Sequence, residues 1–462
     1  MGFLYTMNDI LWGGPLILLL LGCGIFFTVR LRFVQAHLGK AFGALMRDSG
    51  RGDLSPFQSL CTMLAATLGT GNIVGVATAV SLTSLGGGPG ALFWMAVSAF
   101  FAMAVIYAEG VLAVKYRRFN KKGEAIGGPF CYIEDGLGRR FRPLAKLFAL
   151  FTLFAACFGI GTVPQVNSIF AAVDVMLGIN HIDTPVVAVV LAAGLTALCG
   201  WIILGGVTRI GRILSFLVPF MALFYLLGNL AVLVCNAEKI LPACGLIIRD
   251  AFSLKSVSFG VGGTMMAAAL RSGIARGLFT NEAGLGSTPI ASAAARTQSP
   301  GQQGLVSMLG TFVDTLVMSM LTGLVIIING SYSGEGQGLW MTVDAFQKGL
   351  PFAPWMGEWV VCIGLVLFAF STIIGWCYYG EKSCEYLFGE KRVFHYRVFY
   401  VCCLLIGPFL PLGAVWAMGD FFNALMVIPN IFALFCLHKV VAREHNKFFD
   451  LERRNRSSHV LK

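Results

Sequence analysis

Apolar runs long enough to cross a bilayer recur from one end of this chain to the other, and they constrain its fold more than any other feature. Eleven such runs are read, roughly at 12–29, 57–84, 91–114, 144–172, 184–205, 211–235, 257–279, 303–329, 358–380, 396–416 and 418–438. In a hydrocarbon layer every backbone N–H and C=O must be satisfied inside the protein. Apolar runs of this length meet that demand as helices. Composition agrees: 57% of the residues are hydrophobic and 12% charged, against about 25% charged in soluble domains. The expectation is an all-α polytopic membrane protein of eleven spans, one transmembrane domain over 1–462. The longest polar stretch, Lys115 to Lys146, is too short to hold a soluble domain of its own.

The formal net charge is +11. With the N-terminus outside, every Lys and Arg except Lys239, Arg249, Lys255 and Lys348 falls on or near the cytoplasmic side. That is the positive-inside asymmetry, so the basic charge reports topology in a cell membrane and not a nucleic-acid surface. The tail from His438 to Lys462 is then cytoplasmic. Asp9 is the only charge before the first run, Arg30 and Arg32 follow it directly, and no cleavage site appears. The run reads as an N-out helix and not as a signal peptide. The thirteen cysteines are scattered and read mostly as small hydrophobes. Cys235 and Cys244 share the outer side, either as a disulfide or as two thiols. No HExxH, GxSxG, His/Cys cluster or phosphate-binding loop occurs, so nothing points to an enzyme or an organic cofactor. Nothing calls for an obligatory protein partner.

The second span contains Thr67-Leu68-Gly69-Thr70-Gly71-Asn72. Its stretch from Pro56 to Ser84 would be about 43 Å long as one straight helix, against a hydrocarbon core of about 30 Å. Two glycines and an Asn suit a helix broken at mid-depth, with freed amides and carbonyls turned toward a ligand. With the first span set aside, ten remain, five starting inside and five outside. That predicts an inverted repeat: 1–55 as an extra helix and cytoplasmic loop, 56–236 and 257–438 as five-helix halves, and 439–462 as a tail. It also predicts a matching break in span 7, at Phe259-Gly260-Val261-Gly262-Gly263-Thr264. The competing reading makes Gly71 and Gly75 a GxxxG packing face.

The longest informative runs are Leu64-Ala-Ala-Thr-Leu-Gly-Thr-Gly-Asn-Ile-Val-Gly75, Gly88-Pro-Gly-Ala-Leu-Phe-Trp-Met95, Gln165-Val-Asn-Ser-Ile169 and Arg276-Gly-Leu-Phe-Thr-Asn-Glu-Ala-Gly-Leu-Gly-Ser287. In these the chain resembles the alanine or glycine:cation symporters, sodium-coupled amino-acid carriers of bacteria and archaea, over nearly its whole length. The resemblance implies the leucine-transporter fold, with spans 2–6 and 7–11 as inverted halves and spans 2 and 7 broken. Ile106, Thr162 and Ser272 depart from the residues common in that family, and Pro164 beside Gln165 is unusual. These departures bear on the substrate more than on the mechanism.

A zwitterionic substrate needs one patch for a carboxylate and one for an ammonium. Gly69, Thr70 and Gly71 would offer freed amides at the positive end of a half-helix, with Asn72 beside them. Carbonyls near Gly262 and Gly263, with the Thr264 hydroxyl, would accept from the ammonium. Gln165 is either a substrate contact, as the resemblance implies, or an interhelical hydrogen bond. Trp376 is a candidate lid over a small side chain or an ordinary core residue. Phe170 is one apolar face residue among many. The resemblance further implies a sodium held by the adjacent hydroxyls of Ser371 and Thr372 and the carbonyls of Ala65 and Leu68, oxygen ligands suited to a hard cation. The plain alternative is that both hydroxyls bond back to their own helix. Asp314, an acid in a span, has three readings: a second cation site with Asn72, a coupled proton, or an ion pair with Arg271. Glu109, Arg276 and Glu282 read as an inner gate or as snorkelled anchors.

The function implied is sodium-coupled symport of a small neutral amino acid, alanine or glycine, across the cell membrane of a prokaryote. Proton coupling and a larger neutral substrate such as glutamine or serine are the alternatives. A channel fits less well, because pores are commonly built from rings of equivalent elements and this chain offers one asymmetric pair of breaks.

Overall fold

The computed structural model describes residues 2–12, 14–48, 50–82, 86–178, 185–253, 265–334, 336–407 and 412–460. The helices that position the site are α1 (Pro15–Arg30), α2 (Pro56–Thr67), α3 (Val74–Val80), α4 (Gly90–Lys115), α5 (Arg142–Phe158), α6 (Val163–Leu177), α7 (Pro185–Ile203), α8 (Gly206–Cys235), α9 (Met265–Asn281), α10 (Pro300–Ile328), α11 (Pro354–Phe388), α12 (Val393–Ile406) and α13 (Leu412–Val460). Among the described residues seven helical stretches are long and apolar enough to span a bilayer, or eight if the bent pair α2–α3 counts as one. The sequence expectation was eleven. Runs 184–205 and 396–416 appear as the shorter helices α7 and α12. Much of the first half of run 257–279 lies outside the described residues.

Each interruption has a local cause. Helix α2 starts with Pro56 behind a capping box, in which the Ser55 hydroxyl accepts from the Gln58 amide at 3.1 Å and the Ser55 amide donates to the Gln58 side chain at 3.0 Å. It stops at Thr67 because Leu68 and Gly69 turn extended, and α3 leaves at 63° to it. Span 4, expected to be continuous, is interrupted between α5 and α6 over Gly159–Thr162. Pro164 has no N–H to give the Ile160 carbonyl, and the Gln165 side-chain amide donates to that carbonyl instead, at 3.0 Å. In α10 the segment Phe312–Ser319 is wound as a π-helix.

Helices α3, α4, α9 and α10 form one packed group, and α5, α6, α7, α11 and α12 another. The first is drawn tight by small residues. A β-carbon at Gly273 or Gly277 of α9 has no room against Ala91 or Ser98 of α4. Gly75 has open space around it, so the Gly71/Gly75 pair is not a helix-contact face. Helices α2 and α8 lie between the two groups.

The loops hold more structure than the sequence indicated. A two-stranded hairpin, β1 (Arg118–Phe119) with β2 (Ala125–Ile126), follows α4. Leu54 pairs with Ala295 in a parallel bridge. The tail continues α13 without interruption as far as Val460. Cys235 and Cys244 are separate thiols.

Candidate functional site

The break between α2 and α3 frees two carbonyls by a specific diversion. In a continuous helix the Gly69 amide would bond to Ala65 and the Asn72 amide to Leu68. Here the Gly69 amide donates to the Asn72 side-chain oxygen at 3.0 Å, and the Asn72 amide donates to the Gly69 carbonyl at 3.3 Å. The Ala65 and Leu68 carbonyls are left facing α11. The Ser371 hydroxyl lies 3.3 Å from the first, and the Thr372 hydroxyl 3.2 Å from the second. Both hydroxyls also reach the Phe368 carbonyl, at 2.9 Å. The back-bonded alternative and the cross-helix contact are therefore present together. A hydroxyl has one proton. When it is given to Phe368, the hydroxyl lone pairs face the carbonyls of α2, and four oxygens converge with no proton between them. Such a set suits a hard cation.

This diversion corrects one expectation. The Gly69 amide was expected to be open to a carboxylate, yet Asn72 occupies it. The amides of Thr70 and Gly71 start the next turn, where a helix's own carbonyls are out of reach. Glycine at 69 is a matter of space. A β-carbon there would stand 2.8 Å from the Thr372 hydroxyl and 3.5 Å from the Gln165 side-chain oxygen.

The other end of the Asn72 side chain reaches Asp314. Its amide donates to the Asp314 carboxylate at 2.8 Å, to the Asp314 carbonyl at 3.1 Å and to the Ser319 hydroxyl at 3.0 Å. The second carboxylate oxygen accepts from Thr315 at 2.7 Å. Asp314 and Asn72 are both fully buried. No ion pair joins Asp314 to Arg271, which is exposed on α9. The structural ion-pair reading is thereby removed. The π-helical winding around Asp314 turns its carbonyl toward Asn72 and Ser319.

Gln165 sits on the opposite wall. Its amide donates to Ile160 and, at 3.5 Å, to the Thr70 hydroxyl, and its oxygen has no partner among the described residues. Trp376 is fully buried one turn beyond Thr372. Its indole donates to Glu282 at 3.1 Å, and its β-carbon and ring fill the space that a side chain at Gly161 would need. It is tied toward the loop after α9 and is not a free lid. Phe170 is buried on α6. Gly263 and Thr264 lie outside the described residues.

Glu109 and Glu282 are not snorkelled anchors, because both are buried. Glu109 accepts from Asn430 of α13 at 2.6 Å, and Asn430 also accepts from Tyr132. Glu282 accepts from Ser287 and Trp376. Arg276 lies over the Phe279 ring. Sequence reading missed Asn430 and the interruption at Gly159–Thr162. The signal available for the second was Gly159-x-Gly161 followed by Pro164.

The sequence model of the sodium:alanine symporter family matches residues 2–462. A sodium/alanine symporter of Methanococcus maripaludis is 45% identical over 459 residues, covering 97% of this chain and 97% of its own. A probable sodium/glutamine symporter of Bacillus subtilis is 35% identical, covering 94% and 87%. Among solved structures, that of MhsT in complex with L-phenylalanine superposes with a TM-score of 0.58 at 13% identity, over 87% of this chain and 93% of that one. The fold is that of the leucine transporter.

Proposed function

The chain belongs to the sodium:alanine symporter family, and from that premise we propose that it imports a small neutral amino acid, alanine or glycine, together with sodium by alternating access. The observation that carries the reading is the convergence of Ala65 and Leu68 carbonyls with Ser371 and Thr372 hydroxyls, which serves as the sodium site. The carboxylate of the substrate lies against the amides of Thr70 and Gly71, and its ammonium donates to the Gln165 oxygen, which has no partner among the described residues. Trp376, held by Glu282, forms the floor of the site on the cytoplasmic side. Asp314 with Asn72 supplies a second, negatively charged position for a coupling cation. A buried carboxylate costs several kcal/mol unless compensated, and its partners here are neutral donors. The halves 56–236 and 257–438 act as the inverted repeats, with the N-terminus outside and the C-terminus in the cytoplasm.

One sodium moving through 100 mV releases about 2.3 kcal/mol. At about 1.4 kcal/mol per decade, that supports roughly forty-fold accumulation. The test is uptake of labelled alanine by Ser371→Ala with Thr372→Ala. The sodium concentration for half-maximal uptake should rise at least tenfold, and an unchanged value removes this cation site. Full uptake by the wild type without sodium, at fixed pH and voltage, removes sodium coupling altogether. The relative described as a probable sodium/glutamine symporter keeps glutamine as the alternative substrate, and competition by unlabelled amino acids against alanine separates the two.

A further inference from the structure

The cytoplasmic side of the molecule carries a buried charge cluster that the site above does not use. Lys382, at the cytoplasmic end of α11, is 1% exposed and bonds to Glu385 at 2.9 Å. A lysine is almost never buried to this degree without a specific arrangement around it. The other Glu385 oxygen accepts from Asn120 at 2.8 Å, and Asn120 lies in the turn of the β1–β2 hairpin. The backbone of Lys121 donates to Glu390 at 3.1 Å. On its far side the hairpin holds the segment leading into α2, where the Ala125 amide donates to Asp53 at 2.9 Å. Burial pushes the Asp53 carboxyl up, and the Ala125 amide and the Lys382 charge pull it back.

These contacts divide along the two helix groups. Asp53 and Leu54 are bonded to Ala294 and Arg296 between α9 and α10. Arg117, just before the hairpin, donates to the carbonyls of Ala293, Ala295 and Thr297. The hairpin base therefore travels with α4, α9 and α10, while Glu385 and Lys382 travel with α11. The Asn120–Glu385 bond is a polar crossing between the groups on the cytoplasmic side, below the site.

We propose that the β1–β2 hairpin is the cytoplasmic latch of the carrier. The Asn120–Glu385 contact must part for the site to open inward, and Lys382 positions Glu385 to receive Asn120. Of Glu109, Arg276 and Glu282, read from sequence as an inner gate or as snorkelled anchors, Glu282 also reaches across to α11 through Trp376, and Glu109 bonds to Asn430 of α13. The proposal rests on the carrier reading above.

Two measurements on the full chain in membranes test it. In the first, Asn120→Cys is combined with Glu385→Cys, with exposed Cys235, Cys244, Cys402 and Cys436 changed to Ser. Oxidative cross-linking of the pair should lower amino-acid uptake at least tenfold, with recovery on reduction. The pair Leu54→Cys with Ala295→Cys, which joins residues of one group, should retain uptake when cross-linked. Because loss of Glu385 leaves Lys382 unpaired, the second measurement keeps both. Tyr379 is a fully buried residue of α11 beside Trp376, and Asn120→Ala in a Tyr379→Cys background should raise the rate at which a maleimide applied from the cytoplasmic side labels position 379 at least threefold. Unimpaired uptake by the cross-linked 120–385 pair, or an unchanged labelling rate in Asn120→Ala, overturns the latch. Absence of alanine uptake by the wild type overturns the substrate reading instead, and the labelling measurement still decides the latch.

Discussion

Asn72 does two jobs with one side chain. Its oxygen takes the Gly69 amide out of the helix and so exposes the Ala65 carbonyl; its nitrogen meets Asp314 and Ser319. Sequence reading left it between substrate and cation, because an amide in a span has both a donor and an acceptor end to place. Removing it returns the Gly69 amide to Ala65 and leaves the Asp314 carboxylate short of a donor, a loss of about 1–3 kcal/mol or more for a charged group. Asn72→Ala should cut sodium-driven alanine uptake at least tenfold with surface expression retained. Asp314→Asn should lower the charge moved per alanine, read as reversal potential in proteoliposomes; an unchanged stoichiometry removes the second cation position. The contact of Ser371 and Thr372 with the Ala65 and Leu68 carbonyls was legible because adjacent hydroxyls in an apolar helix are chemically conspicuous. The partner of Trp376 was not, since Glu282 precedes it by 94 residues and no local pattern links an indole to a distant acid.

Among the elements, the break in α2–α3 was visible because Gly-Thr-Gly-Asn disrupts an apolar run on its face. The interruption between α5 and α6 was hidden by the same apolar background. Gly159 and Gly161 pass as packing residues, and Pro164 matters only through the carbonyl it leaves open. That carbonyl holds Gln165 by its nitrogen and aims its oxygen into the site. Pro164→Ala supplies an N–H that competes for Ile160. The expected result is an alanine KM raised about threefold to tenfold, corresponding to roughly 0.7–1.4 kcal/mol of lost binding, with the sodium dependence unchanged. A shift in sodium affinity alone would place the role of this turn elsewhere. The π-helical stretch around Asp314 had no sequence signature at all, because its winding answers to Asn72 and Ser319 on facing segments.

At the scale of the whole molecule, the lipid constraint made the architecture readable while leaving the polar loops nearly blank. Hydropathy marks where chain is in lipid; it carries no information about how polar loops settle on one another. The stretch after α4 shows the cost of that silence, since a run read as polar connection is a hairpin bonded on both sides. The tail is the second case. It docks through Lys115–Glu444 at 2.6 Å, Lys40–Glu452 at 3.0 Å and Arg47–Glu452 at 3.2 Å. The Phe449 ring packs, tilted, between those of His37 and His445, and Phe448 covers Gly301 of α10. Surface ion pairs add little, but burying Phe449 is worth about 1.5–3 kcal/mol, and the half-buried Phe448 adds less. Deleting residues 442–462 should lower the apparent Tm in detergent by at least about 3 °C, and an unchanged Tm would leave the docking without energetic weight.

Helix α13 has one further consequence. It continues as a single rod as far as Val460 and is pinned to the rest of the chain by ion pairs at Glu444 and Glu452. A fluorescent protein fused a few residues later would hang from a stiff mast and not from a loose string. Its emission in an oriented membrane should be polarised, and that polarisation should change with the tilt of α13 as sodium and alanine are added.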